Sequence, residues 1–360
     1  MKQLFLIFSL ITLISCSGTD NEVYHNSDYY FGNAEKIQGV QLKENYPVMF
    51  SFNCFHISDG FLGAMDIPGK GLIHLADLQT GEIISSVCHK GRGPKELLSS
   101  TPQIGLYNNT LYVTDMVTDK IKGIFIQNDS LTVNDITQIK YTEPTITANS
   151  KVINDSLFVI FGDQKDAHQL LLCNNDGVIL NSIDYHILDD ENIDLSKVPT
   201  FYVSMDISPC REYLYVCNKT FNHVKKYHIH NNTINHLSTF YLTEPKYTVK
   251  KGKPITEEDN VKFSANIFVN EQYIYIVANP ESRGAFLQRL DEAQKQGERV
   301  TALPDSNSYI LVFNHKMELL NSYLCDTQFE TITLTPDPSI VYAADYRSHG
   351  LTEYKLTGLN

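Results

Sequence analysis

Along most of this chain, apolar residues alternate with polar ones in short runs separated by turn residues, the period expected of half-buried β-strands. One unit recurs: a turn residue, then alternating aliphatic and aromatic residues, then Asp or Asn where the run ends. It occurs at Gly60–Ala64, Leu111–Asp115, Leu157–Val159, Leu214–Asn218, Ile274–Asn279 and Val341–Asp345. Each copy is followed by a second apolar stretch: Gly71–Leu78, Ile121–Ile126, Gln169–Cys173, His223–Ile229, Tyr309–Phe313 and Leu351–Leu356. A third follows a turn such as Asn175-Asp176-Gly177 or Asn314-His315-Lys316. Antiparallel meanders repeated about every fifty residues predict an all-β fold, a six-bladed β-propeller of four-stranded antiparallel blades.

The ends of the chain predict how the ring closes. The last copy supplies strands at Thr331–Leu334, Ile340–Ala344 and Leu351–Leu356, and the sequence then reaches Asn360 without a fourth. A blade without its outer strand would present an unpaired edge. Lys36–Leu42 precedes the first blade and belongs to none, so it is expected to complete the sixth. One segment breaks the β period. Glu281–Arg299 carries Phe286, Leu287, Leu290 and Ala293 at helical spacing among charged residues, with Gly297 near its end, and predicts a short amphipathic helix inserted in blade five. It falls between second and third strands, on the face that also carries the links between blades.

The N-terminus reads as an address. Lys2 precedes an apolar run from Leu4 to Ile14 broken only by Ser9 and Thr12. As a helix this run rises only about 16 Å, against a hydrocarbon core of roughly 30 Å, so it is expected to be a signal peptide (residues 1–15) and not a membrane span. In Leu13-Ile14-Ser15-Cys16 an aliphatic, a tolerant and a small residue precede a cysteine, which resembles a bacterial lipobox and implies lipidation at Cys16. Such an anchor holds through acyl chains worth about 0.8 kcal/mol per buried CH₂. Residues 16–33 are then the anchor and a polar, flexible tether, and residues 34–360 a single propeller domain. Ser17-Gly18-Thr19 comes before Asp20 and Glu22, which leaves both the periplasmic and the cell-surface face of the outer membrane open.

Composition narrows the partners. The chain has 360 residues, 42 Asp+Glu against 29 Lys+Arg and a net charge of −13, the wrong balance for a phosphate-backbone surface, so no nucleic acid is expected. Besides Cys16 there are six cysteines, Cys54, Cys88, Cys173, Cys210, Cys217 and Cys325. Their spacing forms no zinc pattern, and most are expected to be small buried apolar residues.

The most distinctive string is Gly91-Arg92-Gly93-Pro94-Lys95-Glu96-Leu97, between blades one and two. Together with the Cys16 lipobox and the six Leu-Tyr-Val-x-Asp-like strands, it resembles the glycine-proline loop of TolB-like and NHL-like six-bladed propeller lipoproteins of Bacteroidales type. That resemblance implies a secreted, lipid-anchored propeller and assigns no activity. In the loop itself, the glycines permit close backbone approach, Pro94 fixes the exit and Glu96 is placed to bind backbone amides, while Arg92 is the residue that could point toward a ligand.

Asp115, Asn218, Asn279 and Asp345 end second strands, where Asp and Asn open turns through local hydrogen bonds. The alternative role is to line a central funnel and hold a cation, as in calcium-dependent propeller lactonases, with several oxygens at about 2.3–2.6 Å. No metal cluster and no cofactor are implied by the motifs, calcium being the one candidate. His168, His223 and His349 each follow a second strand, yet no H-E-x-x-H, nucleophile elbow, P-loop or dinucleotide fingerprint is present. Tyr112, Phe158, Tyr215, Tyr275 and Tyr342 are expected in the core, with Tyr202 and Tyr346 as looser candidates for a sugar platform.

The expected function is therefore a lipid-anchored envelope propeller that binds a small molecule, a glycan or an envelope protein. Its funnel is expected to be lined by Arg92, Lys120, Asp163, His168, Asn222, His223, Arg283, Asp345 and Arg347, with the Glu281–Arg299 helix as a partial lid. The competing expectation is a metal-dependent hydrolase or lyase acting on lactones or sugars at the same funnel.

Overall fold

The computed structural model describes residues 25–43, 55–58, 61–65, 73–77, 80, 82–98, 103–127, 130–164, 167–188, 190–198, 203–263, 265–297, 306–344 and 350–359. Cys16, Cys54, Tyr202, Asp345, Tyr346, Arg347 and His349 lie outside the described residues.

Six blades follow one another along the chain, five as four-stranded antiparallel sheets and the fifth as four antiparallel strands with one added parallel edge strand. Blade 1 is built from Phe55–Ser58, Phe61–Met65, Ile73–Asp77 and Ile83–Val87. Blade 2 comprises Gln103–Tyr107, Thr110–Asp115, Lys120–Gln127 and Ser130–Gln138, and blade 3 Thr145–Asn154, Leu157–Gln164, His168–Asn174 and Ile179–Asp184. Blade 4 comprises Val203–Ile207, Tyr213–Asn218, His223–His230 and Thr233–Tyr241. Blade 5 comprises Asn266–Val269, Ile274–Ala278, Tyr309–Phe313 and Leu319–Leu324, and blade 6 Ile332–Leu334, Ile340–Ala344 and Leu351–Lys355. Each recurring sequence unit falls on a second strand. The first strands of blades 2 and 3, 3 and 4, 4 and 5, and 6 and 1 adjoin one another, which places them around the axis.

The fourth strand of blade 6 comes from the other end of the chain. Val40–Lys43 pairs antiparallel with Leu351–Lys355, Val40 opposite Glu353, so the termini close the ring as the missing edge strand required. The entry is divided between two blades: Glu35–Lys36 first pairs in parallel with Tyr323 and Leu324 on the outer edge of blade 5.

The ordered fold begins earlier than Ala34. Ser27–Phe31 is a helical turn capped by Asn26, whose Oδ1 accepts from the Tyr29 amide at 3.1 Å. Tyr30 is 3% exposed and packs in the core between blades 4 and 5. Its ring centroid lies 5.7 Å from that of Phe263 and 6.2 Å from that of Phe313, and its carbonyl accepts a hydrogen bond from the Ser322 hydroxyl. The tether expected to run to Asn33 thus gives way to docked structure because three consecutive aromatic residues, Tyr29, Tyr30 and Phe31, interrupt its polar composition.

The core is distributed between blades. Successive apolar clusters join blades 1 and 2, 2 and 3, 3 and 4, 4 and 5, and 5 and 6. Apolar side chains therefore occupy both faces of the second strands of blades 2 to 5, which read as nearly continuous apolar runs. Buried tyrosines add directional stitches. The Tyr112 hydroxyl donates to Asp155 of blade 3 at 2.7 Å, and the Tyr275 hydroxyl to the Pro338 carbonyl of blade 6 at 2.7 Å. Tyr215, in blade 4, pairs with His315 Nδ1 of blade 5 at 3.1 Å. Cys88, Cys173, Cys217 and Cys325 are buried free thiols, as small apolar residues should be, while Cys210 is exposed.

Replacing Tyr30 with alanine removes a buried aromatic that ties the N-terminal segment to blades 4 and 5, and is expected to cost about 3 kcal/mol. Denaturant unfolding of both proteins checks this; an unchanged midpoint would mean that the segment is not part of the cooperative unit.

Candidate functional site

Because strands alternate in direction, the links between blades and the turns joining second to third strands share one end of the ring. Asp115, Asn218 and Asn279 stand there, and each is used to build the end. Asp115 accepts from the Val117 amide at 3.1 Å and, across the blade junction, from the Leu98 amide at 2.8 Å. Asn218 accepts from Thr220 and Phe221 amides at 3.0 and 2.8 Å. Asn279 donates to the Phe329 carbonyl at 3.0 Å and accepts from the Ser308 hydroxyl at 2.8 Å. Among the described residues, no three His, Cys, Asp or Glu side chains converge as a metal site.

The glycine-proline loop is a closed clasp. The Glu96 carboxylate folds back to accept from the Gly93 amide at 2.6 Å, and the Gly91 and Leu97 amides bond to Leu97 and His89 carbonyls at 3.0 Å. A Cβ on Gly91 would lie 2.1 Å from Glu96 Oε2, which is why the position is glycine. Lys122, buried beneath the loop, donates to the Pro94 carbonyl at 2.6 Å and pairs with Asp135. Arg92 stands exposed at the tip.

A concave site does form on the same end, over blades 3 to 5. It is a cleft of about 310 Å³. One wall is the link from blade 3 to blade 4, with Ile187, Val198 and the short 3₁₀ turn Leu195–Lys197. The opposite wall is a two-stranded hairpin in the next link, Tyr247–Lys250 paired with Lys253–Thr256. Lys251 and Gly252 carry φ of 52° and 81°, the left-handed pair that turns a two-residue hairpin. The Asp194 amide bonds to the Gly252 carbonyl at 2.8 Å and ties the walls together. Phe221 and Thr220 of blade 4 supply the floor, and Arg283 closes one end.

Arg283 opens the inserted helix, Arg283–Gln296, which is two residues shorter at its start and three at its end than the expected Glu281–Arg299. Ser282 Oγ caps it by accepting from the Ala285 amide at 3.1 Å, and Gly297 ends it with φ 72°. Its fixings are at its base: the Arg283 and Gly284 amides donate to Asn260 and Glu258 carbonyls at 3.1 and 2.9 Å. Arg289 grips Glu281 through two hydrogen bonds of 2.9 Å. None of its residues is buried, so the helix borders the cleft by its first residue.

Beside the cleft three ionisable side chains come together from three segments: Lys219 after blade 4's second strand, Lys262 in the following link and Glu330 before blade 6. All three are half-buried. Burial lowers Lys219, with Glu330 opposing; burial and then Lys219 lower Lys262. Burial raises the Glu330 carboxyl against the pull of both lysines. Desolvated side chains that retain contact with water are those of a recess.

The expected funnel residues are spread around the ring. Arg92 and Lys120 belong to the first junction, and Lys120 pairs with Asp135 at 3.3 Å. Asp163 and His168 face each other across blade 3 at 3.2 Å; burial lowers the His168 pKa and Asp163 opposes it. Asn222 is a buried latch: its amide donates to Thr243 Oγ1 at 2.9 Å and to the Val261 carbonyl at 2.5 Å, and its oxygen accepts from the Phe263 amide at 2.9 Å. His223 is fully buried, 3.3 Å from the Tyr185 hydroxyl, and its Nδ1 has no hydrogen bond. Among the described members of this set, Arg283 is the one that lines the cleft. Asn218, the strand-end position of the blade 4 repeat, also lines it, while Lys197, Val198, Phe221 and Lys253 sit in segments that carry no repeat. The one available signal was Tyr247–Thr256, an alternating run folded about Lys251-Gly252.

Six four-stranded blades closed by the N-terminal strand, with a cleft on the link-bearing end, define a six-bladed β-propeller. The model of the TolB-like 6-blade propeller-like family matches residues 30–337, and the chain belongs to that family. Among solved structures it is similar to a protein of Bacteroides fragilis described as exported, with 9% identity, a TM-score of 0.53, and coverage of 92% of this chain and 97% of that one. Hydrazine synthase of Kuenenia stuttgartiensis matches with 13% identity and a TM-score of 0.49, over 87% of this chain and 97% of that one. No curated protein matches the sequence.

Two expectations follow from this end of the ring. Gly91→Ala forces a methyl group into the Glu96 carboxylate and is expected to destabilise by about 1–3 kcal/mol, whereas Arg92→Ala should stay within about 0.5 kcal/mol of the parent; thermal melts separate the two. His223 is held by burial, and secondarily by Lys225, at about 3 against an ordinary 6.5. Between those pH values the unfolded chain binds the extra proton, so this contribution to stability is complete above 6.5 and is lost as pH falls toward 3. His223→Gln should melt with a shallower decline over that window; parallel curves would show that His223 does not carry the effect.

Proposed function

We propose that this chain is a binding module of the bacterial cell envelope, anchored through lipidated Cys16, whose link-bearing end presents the cleft over blades 3 to 5 to a ligand. The observation that carries this reading is the cleft itself. Its volume of about 310 Å³ stands at the small end of ligand pockets, roughly 300–1,000 Å³. Its floor is apolar, its rim carries a few polar groups, and its walls are loops held on a rigid ring, the arrangement that binding sites share. The leader and the Leu13-Ile14-Ser15-Cys16 motif support an exported, anchored protein, and so does the likeness to a Bacteroides fragilis protein described as exported. The partner is a small molecule, a glycan or a segment of an envelope protein small enough to enter the cleft; nucleic acid is disfavoured by the net charge of −13.

Expressed in a Bacteroides host, the parent chain should fractionate with membranes and Cys16→Ser should not; equal partitioning would remove the anchor. The cleft is tested with Thr220→Trp, which adds bulk to its floor. In a fragment screen read by nuclear magnetic resonance, saturable shifts should map to Phe221 and Val198 and disappear in the variant. Hits that survive it would place binding elsewhere on the ring.

A further inference from the structure

The charge lining the cleft is opposite in sign to that of the chain as a whole. Against 42 acidic and 29 basic residues overall, the ionisable residues that line the cleft are Lys197, Lys253 and Arg283, and no Asp or Glu is among the described ones. Lys197 is already neutralised, 2.6 Å from Asp194. Arg283 and Lys253 are not: among the described residues neither makes an ion pair, and the Arg283 guanidinium is hydrogen-bonded only to the Thr256 carbonyl. Of the neighbouring carboxylates, Glu281 is engaged by Arg289 at 2.9 Å and Asp259 by Lys246 at 2.5 Å. The bond to Thr256 fixes the Arg283 fork while leaving further N–H donors for a planar or tetrahedral anion. The field in the cleft is therefore set by Arg283 and Lys253. A recess with low-dielectric walls concentrates such a field. Opposite the cations lie Phe221, Ile187 and Val198, which favour an apolar body.

Resting on the reading of the cleft as the ligand site, we infer that its ligand is an organic anion, a carboxylate or phosphate monoester carried on a compact apolar group, with Arg283 as the principal contact and Lys253 as the second. The probes that fit this description are phenylacetate and phenyl phosphate, with phenylacetamide as the neutral match in shape. Each is titrated calorimetrically into the full chain in detergent, with detergent alone as blank. At least one anion should bind saturably and the amide about tenfold more weakly, the ratio expected for one charge-assisted hydrogen-bonded pair. Arg283→Gln should lose about tenfold in anion affinity and leave the amide unchanged. Lys253→Glu, on the exposed hairpin, should weaken the anion whatever Arg283→Gln does to folding, and added salt should weaken it further. Comparison of the two anions tells carboxylate from phosphate. Equal binding of amide and anion, or anion affinity unchanged in both variants, overturns the inference while the cleft remains a ligand site. Binding of none of the three overturns the inference and the cleft reading together.

Discussion

A twisted sheet whose second strand is apolar on both faces is stable only between two neighbours, and in this protein every other feature follows from that requirement. Leu111–Val113, Phe158–Phe161, Leu214–Cys217 and Ile274–Ala278 are buried through consecutive positions, so each blade needs a partner on either side and the series must close into a ring. Closure is non-local: Val40–Lys43 pairs with Leu351–Lys355 across nearly the full length of the sequence. The docked Tyr30 extends the same logic, using the entering chain to cover the junction of blades 4 and 5 before it reaches blade 6.

Closing the ring leaves its link-bearing end with many backbone groups that no strand satisfies, and the polar side chains there serve that need first. Asp115, Asn218, Asn279 and Asn222 are spent on amides and carbonyls of their own turns or of the neighbouring link. Glu96 and Lys122 do the same for the glycine-proline loop. A conspicuous polar residue on this face is therefore more often mortar than ligand. The cleft arises where two links are long enough to rise from the ring, the segment containing Leu195–Lys197 and the Tyr247–Thr256 hairpin, and where a helix starts beside them. Among the described residues, its cations Arg283 and Lys253 have no carboxylate partner, while Lys197 is paired with Asp194.

Much of this architecture was legible in the residues because strands, turns and caps are local. The recurring Leu-Tyr-Val-x-Asp unit marks a second strand in every blade, Gly297 marks the end of the helix, and the shortage of a fourth strand before Asn360 required the N-terminal segment to supply it. The site was not legible in the same way. Of the described residues expected around a funnel, Arg283 and the strand-end Asn218 line the cleft, His223 and Asn222 are buried in structural roles, and Asp163 with His168 form a pair of their own. Position at the end of a strand says which end of the ring a residue occupies, and that much held; it does not say whether its side chain is already satisfied.

The sequence by itself determined the class of fold, the blade count and the order of strands, since each depends on periodicity and on residues adjacent along the chain. Only the tertiary structure decided that Tyr30 belongs to the core and that Ile187, Phe221, Lys253 and Arg283 surround one space. Those outcomes depend on contacts between links separated by a blade or more, where the deciding quantities are the burial and hydrogen-bond satisfaction of groups that are distant in sequence, and no local pattern encodes them.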